Sequence, residues 1–503
     1  MPFSLIEATI SEMQEAMADG RTSSTDLVKE YLRRIEEIDR AGPHLNSMIE
    51  VNPNALEIAG TLDRERREKG PRGPMHGIPV VLKESIGTLD TMETTAGSLA
   101  LVGSRPHQEA YVVRKLRDAG AVILGKSNLS EWANFRSNSS SSGWSGRGGQ
   151  VRNPYVLDRS PCGSSSGSAV AVAANLTSVA LGTETDGSIL CPASVNGVVG
   201  IKTTLGLVSR SGVVPIAHSQ DTIGPMARNV ADAAALLGAL TGVDHDDEST
   251  LASEGKYPSD YTRFLDRDGL RGSRIGVPRE IYFGYSAKTD ALAEKAIRTM
   301  RELGAEVVDP ADIPTAKQMS TSEAELTVLL YEFKADLDRY LSGLASSPVR
   351  SLKEVIAFNE AHGEQELKYF GQEIFTKAQE TTTLEDPKYL QALEENHRLS
   401  RQEGIDAVMD KNKLDALVMP TTSPAWVIDL VDGDHGLGGS AQPTALAGYP
   451  AITVPAGHTF GLPVGITFVG RAFNEPTLIR LAYAFEQATH HRAPPSFMPT
   501  APQ

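Results

Sequence analysis

Cysteine is nearly absent. The 503 residues contain two, Cys162 and Cys191, too few for a disulfide framework. Both flank serine-rich turns, so one bridge is sterically allowed, but the expected role of each is a small buried hydrophobe. An excess of positive charge is missing too. Against 48 Lys and Arg stand 64 Asp and Glu, a formal charge of −16, which argues against a nucleic-acid surface and against anionic lipid as a partner. No apolar run reaches the ~18 residues of a membrane span, and the first residues lack a basic region leading into an apolar stretch. A cytoplasmic protein is expected, or an exported one whose signal peptide has been trimmed. His76, His107 and His218 stand apart from any cluster at ligand spacing, so no metal and no cofactor is expected. No repeat period and no Pro/Gly/Ser linker divides the chain.

What is present is enough for a sizeable core: 40% of residues are hydrophobic and 22% charged. Helical periodicity marks Leu5–Ala18, Thr25–Asp39 and Asn54–Lys69, with a short strand expected at Ser47–Val51. From Gly77 to about Gly200 short apolar runs take over. Val80–Leu82, Ala121–Gly125, Val179–Leu181 and Val198–Ile201 are expected strands, with helices Ala110–Ala119 and Ser168–Asn175 between them. Residues 320–415 are charged and helical, and apolar strands return at Leu414–Met419, Ala451–Val454 and Val464–Val469 before a helix at Thr477–Thr489. The pattern implies one α/β domain over 1–503: N-terminal helices (1–70), a core at about 77–230, and a helical insertion at about 320–413 covering one side.

Chemistry concentrates in two turns of small residues, Gly163–Gly167 and Gly182–Ser188, each holding a serine, and in Lys83 at the end of an apolar run. Small residues let a substrate approach main-chain N–H groups, and a serine near an amine suggests an activated hydroxyl nucleophile. The turn Thr185-Asp186-Gly187 before Ser188 offers successive N–H groups that could converge on one oxygen. Gly163-Ser164-Ser165-Ser166-Gly167 also fits a nucleophile elbow centred on Ser165, but the preceding Asp158-Arg159-Ser160-Pro161-Cys162 is no hydrophobic strand. Ser165 is therefore read as a hydrogen-bonding neighbour. The glycine-rich Gly143–Gly149 is read as a flexible wall of the substrate cleft, with Trp144 and Asn134 as candidate contacts.

The stretches Gly77–Lys83, Thr95–Ser98, Gly163–Ala169 and Gly182–Ile189 resemble the amidase signature family of serine hydrolases. The similarity continues through Leu329–Lys334 and Gly448–Pro455 to Gly461–Gly465, nearly the whole chain. The resemblance implies a single domain with a large mixed central β-sheet wrapped in α-helices. It also implies three roles: Ser188 as the nucleophile that forms an acyl-enzyme, Ser164 as a bridging serine entered through a cis peptide, and Lys83 as the base. Thr185, Asp186 and Gly187 would supply the oxyanion hole through their backbone.

Within the family the chain looks most like bacterial peptide amidases, which remove the C-terminal amide of peptides. It departs from the common pattern at Glu184, Asp186 and Leu190, where aspartate, glycine and arginine are usual. A carboxylate at Asp186 would oppose negative charge in the oxyanion hole unless it points away, or it could bind the donors of a primary amide. A small peptide-amide or carboxamide substrate is implied. Three alternatives remain: a broad aryl or aliphatic amidase, the amidase component of a tRNA-dependent amidotransferase with a partner chain, and a non-catalytic binding protein on this fold.

Overall fold

The apolar runs between Gly77 and Gly200 are strands buried on both faces, as a sheet sandwiched between helices requires. In the computed structural model, which describes residues 3–502, the strands are β1 (Met48–Val51), β2 (Pro79–Lys83), β3 (Val122–Ser127), β4 (Trp144–Ser145), β5 (Gly149–Gln150), β6 (Val179–Glu184), β7 (Val199–Lys202), β8 (Thr222–Ala227), β9 (Arg274–Gly276), β10 (Glu306–Val308), β11 (Ala416–Pro420), β12 (Ala451–Thr459) and β13 (Leu462–Val469). Eleven form one sheet in the order β1-β3-β2-β6-β8-β7-β12-β13-β11-β9-β10, while β4 and β5 pair separately. The sheet is mixed. β2 runs parallel to both β3 and β6, and β6 is antiparallel to β8. This is the mixed α/β sheet that the sequence implied.

The parallel β2–β6 pair positions the chemistry. Leu82 lies opposite Leu181, so both strands leave the sheet at one edge and deliver Lys83 and the turn after Glu184 to the same place. Such an edge, at the carboxyl ends of parallel strands, is where open α/β sheets bind ligands. Helix Ser166–Ala173 starts directly after Ser164 and Ser165 and is buried along its whole length. Its residues are small for a reason: a Cβ on Gly167 would lie 2.2 Å from the Ser47 carbonyl oxygen and 2.4 Å from that of Asn128.

Several element boundaries move. The first helix begins at Ile10, where Thr9 and Glu12 form a capping box, rather than at Leu5. The expected helix Thr25–Asp39 is α-helical only over Ser24–Arg34 and continues as a wider π turn over Ile35–Arg40. Strand β8 escaped the sequence pattern because Gly224 and Pro225 interrupt it. Gly224 is needed there: a Cβ would sit 1.8 Å from the Ile201 carbonyl oxygen.

Between 320 and 413 the chain is helical, with Ala324–Ser342, Leu352–Ala361, Glu373–Gln379 and Pro387–His397 among its helices. Phe333, Leu337 and Phe375 from this region pack on Ala96, Trp132 and Phe135 from the motif loops as a second apolar core. Trp132 meets Phe375 edge-on at 5.6 Å. Each buried aromatic of this kind contributes roughly 1.5–3 kcal/mol, which clamps the helices over the site. No described helix is long and apolar enough to cross a membrane.

Candidate active site

Lys83 ends β2 with its side chain fully buried. Its amine reaches the Ser164 hydroxyl at 2.7 Å and donates to the Thr183 hydroxyl at 2.8 Å and the Thr183 carbonyl at 3.2 Å. Burial drives its pKa down to about 7; the negative charges of Asp221 and Glu184 oppose the shift without cancelling it. At neutral pH a large fraction of the amine is therefore uncharged.

Ser164 follows a cis peptide bond from Gly163, as the resemblance implied. Glycine fits at 163 because a Cβ would fall 2.1 Å from Ser130 Oγ and force that side chain to shift. Ser165 staples the two motifs together: its hydroxyl donates to the Thr183 carbonyl at 3.0 Å and accepts from the Thr183 N–H at 3.2 Å. Its own N–H donates to the Ser188 carbonyl at 3.1 Å. The Ser165 hydroxyl thus both donates and accepts between the two turns.

Ser188 is 8% exposed, and its hydroxyl forms no hydrogen bond to another described residue. The N–H groups of Thr185 and Asp186 also donate to no acceptor among the described residues. Glu184 shapes this turn by accepting the Ile189 and Leu190 N–H groups at 2.6 and 2.9 Å, with the Gly187 N–H nearby. The glutamate that replaces aspartate therefore organises the first turn of the helix after Ser188. Asp186 turns its carboxyl toward Glu325 on helix Ala324–Ser342. Thr185 donates to Asp221 at 2.6 Å, and Asp221 in turn accepts the Ile216 and Ala217 N–H groups.

Cys162 and Cys191 form a disulfide across the two motifs, with Cα atoms 6.0 Å apart. This corrects their expected role as separate hydrophobes. They are 29 residues apart in sequence, and the two motifs meet where the Ser165 N–H donates to the Ser188 carbonyl.

A cavity of about 290 Å³ adjoins Thr183 and Thr185, with Trp132, Ala133, Ile216 and Tyr340 among its walls and His218 and Asp336 at its polar part. Two expected contacts do not line it. Asn134 donates to the Ser142 hydroxyl at 2.9 Å. Trp144 is buried edge-on against Tyr369 and Phe370 at 5.5 and 5.1 Å. Gly143–Gly149 is no flexible wall but the tight pairing of β4 with β5. Trp132 and Ala133, close by in the chain, line the cavity, and both adopt left-handed backbone conformations.

His218, solitary in sequence, meets Asp336 at 2.7 Å and Glu332 at 3.4 Å. The three are close enough to hold a metal, yet Glu332 already accepts from Ser219 and Tyr389, and Asp336 pairs with Arg339. Thr183, Asp221 and Glu325 went unread in the sequence. Thr183 carried a signal, lying inside the second turn; the other two carried none.

The amidase family profile matches residues 26–479. A probable amidase of Arabidopsis thaliana is 47% identical over 99% of this chain and 93% of its own length. The crystal structure of native peptide amidase from Stenotrophomonas maltophilia superposes with a TM-score of 0.94 at 54% identity, covering 99% of this chain and all of that one. A component of the glutamyl-tRNA(Gln) amidotransferase of Halorhodospira halophila is 34% identical over 98% of this chain and 99% of its own length.

Proposed function

The chain belongs to the amidase signature family of hydrolases, and from that premise we propose that it removes the C-terminal amide of peptides, releasing ammonia. One observation carries the chemistry: a buried amine with a pKa of about 7 lies 2.7 Å from the hydroxyl of Ser164. An ammonium has three N–H donors and no lone pair. The uncharged amine has two N–H groups, which suit the two Thr183 oxygens, and one lone pair, which suits the Ser164 proton. Lys83 is then the base, Ser164 the relay and Ser188 the nucleophile.

In this reading the Ser188 oxygen attacks the amide carbon as its proton passes to Ser164 and the Ser164 proton passes to Lys83. The carbonyl oxygen becomes an oxyanion facing the unpaired N–H groups of Thr185 and Asp186, with Gly187 beside them. The proton returns through Ser164 to the nitrogen, the C–N bond breaks, and ammonia leaves an acyl ester on Ser188. Water activated by the same relay hydrolyses that ester.

The choice of peptide amide rests on the similarity to the Stenotrophomonas enzyme along the whole chain and on the turn Gly182–Ser188. Ammonia release from amidated di- and tripeptides, amino-acid amides, glutamine and anilides tests it. Amidated peptides should be turned over fastest, with internal peptide bonds intact. Hydrolysis of glutamine only with a partner protein would favour the amidotransferase reading, which the Halorhodospira similarity supports.

A further inference from the structure

Asp186 stands where the family pattern has glycine. Its residue is open to solvent, and the surrounding protein partly desolvates its carboxyl group. Glu325 lies within hydrogen-bonding reach. Two ionised carboxylates this close repel each other, so one proton is held between them. The surroundings agree: burial, then the charge of Glu325, pushes Asp186 well above the usual carboxylate range, and burial raises Glu325 as well.

Glu325 is the better place for the charge. Gln220 Nε2 donates to one of its oxygens at 3.2 Å and Gln442 Nε2 to the other at 2.9 Å. Those contacts also orient the glutamines. Gln220 is 2% exposed, and its Oε1 has no hydrogen-bond partner among the described residues, a costly state for a buried acceptor. Lys202 is the nearby cation, but burial lowers it to about 8, and its amine donates to the Tyr449 carbonyl at 2.9 Å. The patch around Asp186, two residues before Ser188, therefore offers acceptors and one negative charge.

We propose that Asp186, Glu325 and Gln220 recognise the N–H groups of the substrate carboxamide and turn away the carboxylate of the product. The inference rests on the reading of this protein as a primary-amide hydrolase. A carboxamide and a carboxylate have nearly the same shape, so a pocket cannot separate them by fit. Hydrogen-bond polarity can separate them, because sites built to accept an N–H discriminate strongly against a partner that lacks it. The amide nitrogen brings two donors to these acceptors. The product brings only negative oxygens and meets the charge on Glu325, which speeds its release.

The test is calorimetric binding to the full-length Ser188→Ala protein, which reads affinity without turnover, using one peptide as its C-terminal amide and as its free acid. The amide should bind about tenfold tighter or better, the worth of one hydrogen bond to a charged group. Adding Glu325→Gln should bring the ratio toward one, mainly by tightening the acid, whereas Asp186→Asn, which replaces a neutral carboxyl and keeps the charge on Glu325, should leave the ratio largely unchanged. A ratio unchanged by Glu325→Gln overturns the proposal, as does a ratio brought to one by Asp186→Asn alone, or equal binding, or no binding, of the two ligands by Ser188→Ala. Failure of the underlying reading looks different: the unaltered enzyme would release no ammonia from any peptide amide.

Discussion

Thr183 holds the amine of Lys83 that also reaches Ser164, accepting with both its hydroxyl at 2.8 Å and its carbonyl at 3.2 Å. The hydroxyl is the removable half of that grip. In Thr183→Val the shape is kept, but one N–H of Lys83 is left buried without a partner. A hydrogen bond of this kind is worth about 0.5–1.5 kcal/mol, so kcat should fall roughly three- to tenfold with KM little changed. Steady-state kinetics check this, and an unaltered kcat would show that Thr183 does not position the base.

Lys83 should govern the pH profile. Burial disfavours the ammonium, so the active, uncharged amine accumulates as pH rises through about 7. The kcat/KM curve should climb with pH around that value and level off above it. A lysine at its ordinary value would delay the rise to about pH 10. Lys83→Ala should lower activity by roughly 10²–10⁴-fold and by more than Ser164→Ala. A curve flat from pH 5 upward would exclude Lys83 as the base.

Ser188 should be the residue that carries the acyl group. Of the three motif serines, it alone has a hydroxyl with no hydrogen bond to a described residue, whereas Ser164 is bound to Lys83 and Ser165 to Thr183. A fluorophosphonate should label Ser188 by mass spectrometry, and Ser188→Ala should lower activity by roughly 10⁴-fold or more while the circular dichroism spectrum stays unchanged. Labelling of Ser165 would restore the elbow reading.

The Cys162–Cys191 bridge ties the segment before Ser164 to the helix after Ser188. Closing a loop of 29 residues removes unfolded-chain entropy worth about 3.5 kcal/mol in the loop-closure model. The double variant Cys162→Ser/Cys191→Ser should therefore unfold a few degrees lower. Thiol titration of denatured, unreduced protein should find no free thiol; two per chain would show the bridge absent.

The local chemistry was legible in the sequence. Gly163, Gly167 and Gly182 sit where backbone or hydroxyl groups come closer than a Cβ allows, so these turns tolerate little else, and their pattern marks the two serines and their order. The runs Val80–Leu82 and Val179–Leu181 announced buried strands because a strand covered on both faces must be apolar throughout. Strand β8 stayed hidden because its glycine answers to a neighbouring strand and breaks the local pattern. Everything that depends on contacts between distant segments was decided by the tertiary structure alone. The low pKa of Lys83 needs burial against Thr183, the disulfide needs the two serine turns packed together, and the cavity walls come from Trp132 and Ile216, far apart in the chain. Asp186 shows the division most directly: the sequence placed a carboxyl group next to Ser188, but whether it is charged depends on Glu325, brought to it from 139 positions away by the packing of one helix over the sheet edge.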